Sequence, residues 1–288
     1  MTRFAVLLAG LLLAWSPAHG GEVRRDLKLW SAVLGRDIPY AVYLPETHGR
    51  PDWRFPVLYL LHGHGGRGSD WLDAGRLEPT LDGLISQGAV PPLIVVMPSM
   101  GDGWYVDDPD PHGLGALQTA FLQDVVPGVE ALWPTERRRA GRAIAGLSMG
   151  GWGAVRFAVV SPDRFVAAAS LSGVLAPQDW APASPWPSLF GGVFGTPFDP
   201  ARASAATPFA YVERFAAAEP RPALYLVCGR DDELGLAAGA AIFHAALARA
   251  GVAATLRIVD GRHDWTLWQR ELAPILRFIG ASFTASAN

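Results

Sequence analysis

The sequence predicts an α/β fold in which a mostly parallel central sheet carries helices on both faces. Six short apolar runs recur along the chain, each ended by Gly, Pro, Ser or Asp. Such runs are typical of strands buried on both faces of a parallel sheet. Helical candidates alternate with them, in the βαβα order of an α/β protein. The apolar runs are residues 57–61, 93–97, 143–147, 166–171, 223–228 and 255–259, and the helical candidates are residues 120–133, 151–160, 236–250 and 266–279.

The N-terminal part of the fold is expected to be an antiparallel hairpin. Residues 27–34 and 38–44 alternate apolar and polar side chains around the turn Gly35-Arg36-Asp37. No internal repeat divides the rest of the chain, so residues 21–288 are expected to form one domain. Within it, residues 174–211 are rich in Pro, Ala, Ser and Gly and are too long for an ordinary connection. This stretch predicts a cap-like insertion.

The composition excludes several classes of protein. The chain has 288 residues, and 24 Lys and Arg against 27 Asp and Glu give a net charge of -3. A nucleic-acid-binding domain would carry a basic face, so no nucleic-acid partner is expected. The single cysteine, Cys228, excludes a disulfide within the chain and an all-cysteine metal site.

The first twenty residues have the pattern of a secretory signal. Arg3 precedes the apolar run of residues 4–15, and small residues follow as far as Ala18 and Gly20. The run is shorter than the roughly 20 apolar residues that a membrane-spanning helix needs. We therefore expect residues 1–20 to be removed and the mature chain to be secreted or periplasmic, without stable membrane insertion. A buried N-terminal helix or an uncleaved anchor is the alternative.

The strongest motif is a G-x-S-x-G sequence centred on Ser148. It lies between a predicted strand and a predicted helix, where a nucleophile elbow places its serine on a strained turn. Glycines two residues before and after, Gly146 and Gly150, avoid clashes in such a turn. The turn directs the free N–H groups at the start of the following helix towards a developing oxyanion. The alternative is a chance match in a chain with 32 glycines.

A serine nucleophile needs a histidine as base and a carboxylate to orient that histidine. Only two histidines follow Ser148. His244 lies within a predicted helix, whereas His263 lies in a loop between the last strand and the last helix, which favours His263. Asp231 and Asp232 both follow the strand of residues 223–228, and the residues alone do not choose between them.

The stretch His62-Gly63-His64-Gly65-Gly66 follows the first buried strand and suits the second half of an oxyanion hole. The same glycines, together with Gly68, also spell the G-x-G-x-x-G pattern of dinucleotide-binding proteins. That pattern requires a helix from the third glycine and an acidic residue after the next strand. Gly75 and Pro79 interrupt the helix and Pro98 ends the next strand, so no cofactor is expected.

Three aromatic residues are candidates for substrate contact. Trp104 and Tyr105 follow a strand through a short loop, where they could form the wall of an acyl or aromatic subsite, although plain packing is an equal alternative. Trp265 lies two residues after His263 and is the third candidate.

The loop with Asp107, Asp108, Asp110 and His112 could bind a cation. Proline residues interleave these side chains and no ligand spacing is recognisable, so a solvated loop without a metal is expected.

Several of these motifs together resemble one family. They occur in the order seen in the esterase D family of α/β hydrolases, which includes S-formylglutathione hydrolases, feruloyl and acetyl-xylan esterases, and mycolyltransferases of the antigen 85 type. The similarity extends from about residue 33 to residue 278. The motifs are His62-Gly63-His64-Gly65-Gly66, Met97-Pro98-Ser99, Trp104-Tyr105-Val106-Asp107, Gly146-Leu147-Ser148-Met149-Gly150-Gly151, Leu171-Ser172-Gly173, Cys228-Gly229-Arg230-Asp231-Asp232 and His263-Asp264-Trp265.

The resemblance implies an α/β-hydrolase fold and assigns roles to individual residues. Ser148, Asp232 and His263 match the family's catalytic triad, and the backbone N–H groups of His64 and Met149 match its oxyanion donors. The expected activity is hydrolysis of a small-molecule or glycan-linked ester through an acyl-enzyme, with small acyl or aromatic groups. Acyl transfer to a sugar or lipid hydroxyl is the alternative among enzymes. A non-catalytic binding module on a hydrolase scaffold is the alternative outside them.

Overall fold

The computed structural model describes residues 20–110, 112–175 and 190–286. Within these residues the chain forms an eight-stranded sheet with the order β1-β2-β4-β3-β5-β6-β7-β8. The first two pairs, β1 with β2 and β2 with β4, are antiparallel, and all others are parallel. The strands are β1 (Glu22–Ser31), β2 (Arg36–Leu44), β3 (Val57–Leu61), β4 (Ile94–Pro98), β5 (Arg142–Leu147), β6 (Ala167–Leu171), β7 (Ala223–Gly229) and β8 (Thr255–Val259). The predicted mostly parallel sheet with an N-terminal hairpin is confirmed.

Helices cover both faces of this sheet. In the described residues they are α1 (Asp70–Asp73), α2 (Leu77–Ser86), α3 (Leu117–Ala120), α4 (Val126–Leu132), α5 (Met149–Val160), α6 (Pro200–Ala206), α7 (Val212–Ala216), α8 (Leu236–Arg249) and α9 (Trp265–Ala285). A π-helical turn, Phe121–Val125, joins α3 to α4. Short 3-10 helices occur at Glu46–Gly49, Arg139–Gly141, Gly191–Phe194 and Pro208–Tyr211.

Two apolar cores lie on opposite faces of the sheet. Successive side chains of a strand point to opposite faces. In β3, accordingly, Val57 and Tyr59 join the core shared with α3, α4, α5 and α8, whereas Leu58 and Leu60 join the core shared with α2 and α9. All five residues of β3 are buried, which explains its continuous apolar sequence.

The ends of some elements differ from the sequence expectation. The first strand begins at Glu22 rather than residue 27, because this exposed edge strand carries charged residues and shifts register between Arg24 and Leu27. The last helix runs to Ala285, beyond the predicted residue 279. Its start is fixed by Asp264, whose side chain accepts a hydrogen bond from the N–H of Leu267 at 3.0 Å.

Some predictions fall outside the described residues. These are most of the predicted signal segment of residues 1–20, and residues 176–189 of the predicted cap, including Trp180, Trp186 and Leu189. The rest of that stretch packs beside the sheet: Phe194 is buried in the core, and α6 and α7 follow it. No helix among the described residues combines the length and the apolar character needed to cross a membrane.

The parallel part of the sheet gathers four loops at one edge. The loops after β3, β5, β7 and β8 carry His62, Ser148, Asp232 and His263, respectively. Because the carboxyl ends of parallel strands meet at one edge of a sheet, residues far apart in sequence come together there.

Candidate active site

Ser148 occupies a strained turn between β5 and α5. Its backbone has φ 52° and ψ -118°, a conformation that residues with a side chain rarely adopt. Two close approaches hold the turn. A Cβ at Gly146 would lie 2.4 Å from the backbone of Gly150, and a Cβ at Gly150 would lie 2.5 Å from the carbonyl oxygen of Leu61. The two glycines of the motif therefore let β3, β5 and α5 meet behind the serine.

A chain of hydrogen bonds connects Ser148, His263 and Asp232. The distance from Ser148 Oγ to His263 Nε2 is 2.9 Å, and the distance from His263 Nδ1 to Asp232 Oδ2 is 2.8 Å. An ionised carboxylate can only accept, so Nδ1 carries the proton and donates it to Asp232. Nε2 is then free to accept the hydroxyl proton of Ser148. The arrangement can activate the serine as a nucleophile.

Asp232 and Asp231 have different surroundings. The side chain of Asp232 is completely buried, and its second oxygen, Oδ1, accepts the N–H of Leu234 at 3.0 Å. Asp231 is exposed, and its backbone N–H donates to the carbonyl of Gly261. Of the two aspartates, the structure brings only Asp232 to the imidazole of His263.

Glu233 forms a hydrogen bond with the backbone of His263. Its Oε2 accepts the backbone N–H of His263 at 3.1 Å. A hydrogen bond from its own backbone N–H and, next in size, the bond from His263 lower the pKa of Glu233. Arg262 lies 3.7 Å from the same carboxylate. Two consecutive acidic residues thus contact the side chain and the backbone of His263. The sequence carried no signal for this role of Glu233, because it depends on how two distant loops pack.

The backbone N–H groups of His64 and Met149, the predicted oxyanion donors, have no acceptor in the described part of the chain. Met149 is the first residue of α5, so its N–H has no acceptor within the helix. His64 lies in the loop after β3, and in the described chain neither N–H donates to another residue. The next N–H of that loop, at Gly65, is held by Asp102 Oδ1 at 2.7 Å.

His62 fixes the loop that carries His64. Its ring is buried; Nε2 lies 3.1 Å from the N–H of Met100, and Nδ1 lies 2.8 Å from the carbonyl of Gly63. Because a backbone N–H can only donate, Nε2 is the acceptor, and Nδ1 carries the proton that it donates to Gly63. Burial lowers the pKa of His62, so the ring is neutral near pH 7. The hydroxyl of Tyr105 donates to the carbonyl of His62 at 2.8 Å.

The role of His62 leads to a prediction. His62→Ala should lower kcat for a simple aryl ester by about tenfold to a hundredfold, less than the 10²–10³ for complete loss of an oxyanion donor. KM should change little. His244→Ala, which removes a helix histidine bonded to Ala254, is the control and should leave kcat unchanged.

A second measurement tests the neutrality of the His62 ring. In the unfolded chain histidine binds a proton near pH 6.5, whereas buried His62 resists protonation until lower pH. Acidification below about pH 6.5 therefore favours the unfolded wild-type chain. Urea unfolding at pH 8 and pH 5 should show a larger loss of stability on acidification for the wild type than for His62→Ala. An equal loss in both proteins would contradict the assignment.

A cavity of about 300 Å³ opens beside Ser148. Trp265, the third predicted contact residue, forms part of its wall and is half-buried. Its ring meets those of Trp71 and Trp268 edge to face, and Trp268 in turn packs 5.0 Å from the ring of His263. The lining residues are His62, Gly63, His64, Gly65, Gly66, Asp70, Leu147, Ser148, His263, Trp265 and Trp268.

The direct contact expected for Trp104 and Tyr105 is corrected by the structure. Both side chains are at most 1% exposed, and neither lines the cavity beside Ser148. The Trp104 ring packs against Trp152 and Phe190, with ring centres 5.8 and 4.4 Å away. The Tyr105 hydroxyl donates to the carbonyl of His62, at the start of the loop that carries His64. The alternative of plain packing therefore describes these two residues, whose backbones have positive φ angles.

Cys228 lies next to the buried carboxylate. Its Sγ is 3.7 Å from Asp232 Oδ2. Burial, together with the charge of Asp232, raises the pKa of the Cys228 thiol to about 12, which keeps the sulfur protonated and unreactive.

The carboxylates of the acidic loop accept hydrogen bonds from nearby protein groups. The carboxylate of Asp107 accepts hydrogen bonds from the N–H and the hydroxyl of Thr119, and Asp108 and Asp110 accept backbone N–H groups of their own loop. Within residues 20–110, 112–175 and 190–286, no three His, Cys, Asp or Glu side chains are grouped to hold a metal ion.

Known proteins are similar in sequence to most of this chain. The model of the Esterase family matches residues 31–279. The chain belongs to this esterase family. The chain is 30% identical over 264 residues to an esterase of Mycobacterium tuberculosis strain H37Rv, a match covering 83% of this chain and 56% of that protein. The chain thus spans about half the length of the first curated relatives that it matches.

Two further relatives are matched by this chain over nearly their whole length. An acetyl esterase of Caldicellulosiruptor saccharolyticus is 25% identical over 265 residues, which are 86% of this chain and 94% of that protein. The solved structure of a ferulic acid esterase superposes with a TM-score of 0.75 at 30% identity, covering 92% of this chain and 99% of that one. The predicted family and the α/β-hydrolase fold are confirmed.

Proposed function

We propose that this esterase hydrolyses carboxylic esters through an acyl-enzyme formed on Ser148. The observation that carries the proposal is the continuous hydrogen-bonded chain from Ser148 Oγ through His263 to the buried Asp232. The hydrogen-bonded chain ends at a cavity that His64 helps to line, and the backbone N–H groups of His64 and Met149 have no acceptor in the described chain.

Acylation follows from this geometry. His263 Nε2 takes the proton of Ser148 as Oγ attacks the ester carbonyl carbon, and the N–H groups of His64 and Met149 bind the resulting oxyanion. The imidazolium is stabilised by Asp232. It then gives its proton to the leaving alkoxide, so that the carbon–oxygen bond breaks and an alcohol departs. Ser148 is left with the acyl group.

Deacylation reverses these roles. His263 takes a proton from a water molecule, whose oxygen attacks the acyl carbon, and the protonated imidazole returns its proton to Ser148 Oγ. The products are the carboxylic acid and the free enzyme. If a sugar or lipid hydroxyl replaced water, the same groups would transfer the acyl group instead.

We infer that the substrates carry small acyl or aromatic groups. The cavity of about 300 Å³ accommodates a short or planar acyl chain, and its Trp265 edge offers an apolar wall. Relatives named acetyl esterase and ferulic acid esterase support both kinds of acyl group. The predicted signal segment, residues 1–20, supports the further proposal that the enzyme is exported.

The experiment is a substrate panel on the purified mature protein. Aryl esters of graded acyl length, a feruloyl ester and S-formylglutathione are compared by kcat/KM, and the acyl-enzyme is sought by intact mass spectrometry. Turnover of acetyl or feruloyl esters, with the acyl group on Ser148, supports the proposal. Release of acyl-sugar in place of acid when a sugar is added would assign acyl transfer. No turnover of any ester would leave only the binding-module alternative.

The predicted cap at residues 174–211 is proposed to set substrate preference. Phe190, in its described part, packs on Trp104 and on Phe194, so the segment is joined to the elements behind the oxyanion loop. Phe190→Ala should change the ratio of kcat/KM between feruloyl and acetyl esters by about tenfold, the scale of a few methylene contacts. A uniform loss across the panel with a lower Tm would show that Phe190 only supports the core.

A further inference from the structure

Arg156 is a buried cation on α5, the helix that follows Ser148. It lies eight residues after Ser148 in α5, which places it about 12 Å further along the helix axis. Only 8% of the residue is exposed. Trp152 lies between the two on the same helix face, and the guanidinium carbon is 5.7 Å from the centre of the Trp152 ring.

The groups that contact the Arg156 guanidinium are neutral. Nε donates to the carbonyl of Ala206 at 2.8 Å, and Nη1 donates to Oε1 of Gln118. The ring of Tyr211 lies 6.0 Å from the guanidinium carbon. The bond to Ala206 contacts the last residue of α6, so one N–H has a structural role at a helix end.

No carboxylate in the described part of the chain lies within 4.0 Å of Arg156. Asp107 acts on it from further away, but both oxygens of that carboxylate accept hydrogen bonds from Thr119. Burial lowers the pKa of Arg156, yet an arginine keeps its charge at neutral pH. A buried cation that no described carboxylate contacts directly is costly for the folded protein.

The guanidinium faces a cavity of about 400 Å³. One part of the wall is polar, with Gln118, Arg202 and Tyr211 beside Arg156, and another part is apolar, with Val193 and Phe194. Asp107 also lines the cavity, with both carboxylate oxygens bonded to Thr119. Arg202 donates to the carbonyl of Val193 at 2.9 Å and lies 3.7 Å from Asp108. The cavity thus combines a fork of N–H donors with a surface for an apolar body.

We propose that this cavity binds an organic carboxylate, with the carboxylate on Arg156 and the apolar body against Val193 and Phe194. A planar carboxylate matches the guanidinium fork and supplies the missing negative charge. A neighbouring cavity shares Val193 with this one and shares His64 with the cavity beside Ser148. The further inference that an ester substrate places a remote carboxylate in this site rests on the proposed function. Binding of a free carboxylate does not depend on it.

Calorimetric titration of the wild-type protein with benzoate tests the site, and benzamide is the uncharged control. Benzoate is expected to bind with a Kd of about 1 mM or below, and benzamide at least tenfold more weakly. Equal binding of the two, or no heat with benzoate, would overturn the proposal.

Gln118→Glu is the matched variant. It changes one amide to a carboxylate of the same shape, which places a permanent ion-pair partner beside Nη1 of Arg156. The variant should keep or raise the Tm and should lose benzoate affinity by at least about tenfold. Unchanged benzoate affinity would overturn the proposal. Arg156→Met should also lose affinity for benzoate, but this variant is a less selective test because it also removes the hydrogen bond to the carbonyl of Ala206.

Labelling of Ser148 by a fluorophosphonate separates this site from the proposed function. Gln118→Glu should be labelled at the wild-type rate, because Gln118 lies in α3, away from Ser148. Loss of labelling together with loss of benzoate binding would show a general structural effect and overturn the separate site. Absence of labelling in the wild type would refute the esterase mechanism while leaving benzoate binding as its own result.

Discussion

Replacing Ser148 with alanine is expected to reduce kcat for a good ester substrate by about 10⁶, the scale measured when a serine nucleophile is removed from a catalytic triad. A fluorophosphonate probe should label the wild-type protein once and the variant not at all. The fold should survive. The only described hydrogen bond of the Ser148 side chain is to His263, and alanine keeps the same Cβ in the same turn.

The strain at Ser148 provides a control for this result. A glycine at φ 52° carries no Cβ, so Ser148→Gly should have a higher Tm than Ser148→Ala although both are inactive. This order would show that the serine is held in a costly conformation for the sake of its hydroxyl. Persistent labelling of Ser148→Ala at another serine would refute the assignment of the nucleophile.

The second large effect is expected at Asp232. Asp232→Asn should lower kcat by about 10⁴, because the amide NH₂ can donate to His263 Nδ1 and so favours the unproductive tautomer with the proton on Nε2. KM should change much less than kcat, since Asp232 is buried behind His263 and does not line the cavity. Steady-state kinetics on the aryl ester that the panel identifies as best would measure both parameters.

The neighbouring acids are matched controls for Asp232. Asp231→Asn alters an exposed side chain and should leave kcat within about twofold, as surface changes usually do. Glu233→Gln keeps an oxygen that can accept the N–H of His263 and should lower kcat only a few-fold. A 10⁴-fold loss in Asp231→Asn instead would move the acid by one residue.

The fold and the main site residues follow from short-range features of the sequence. The continuous apolar run of residues 143–147 predicts a strand, and the G-x-S-x-G motif of residues 146–150 at its end predicts a turn before the next helix. Together they fix the position of the nucleophile within a few residues. Parallel pairing then brings the following loops to the same edge. The residues alone left Asp231 and Asp232 open; the resemblance pointed to Asp232, which the structure places against His263.

The missed features depend on packing between distant segments. His62 contacts Met100, and Glu233 contacts the backbone of His263; no local pattern encodes either pair. Trp104 and Tyr105 resembled substrate contacts because they follow a strand end. Whether such a side chain faces a ligand or the core depends on positive φ angles of 52° and 53° that the sequence does not reveal.

The sheet order has a consequence for the folding kinetics of this protein. The hydrogen bond from Ser148 to His263 joins residues 115 positions apart, and it exists only after β5, β6, β7 and β8 have paired side by side. Non-local parallel pairing is the slow part of folding, because the loop-closure entropy is lost before the contacts form. Esterase activity recovered on dilution from urea therefore reports the completion of the sheet, whereas helical circular dichroism reports segments that can form earlier. The hydrogen-bonded chain of Ser148, His263 and Asp232 is therefore completed late in folding.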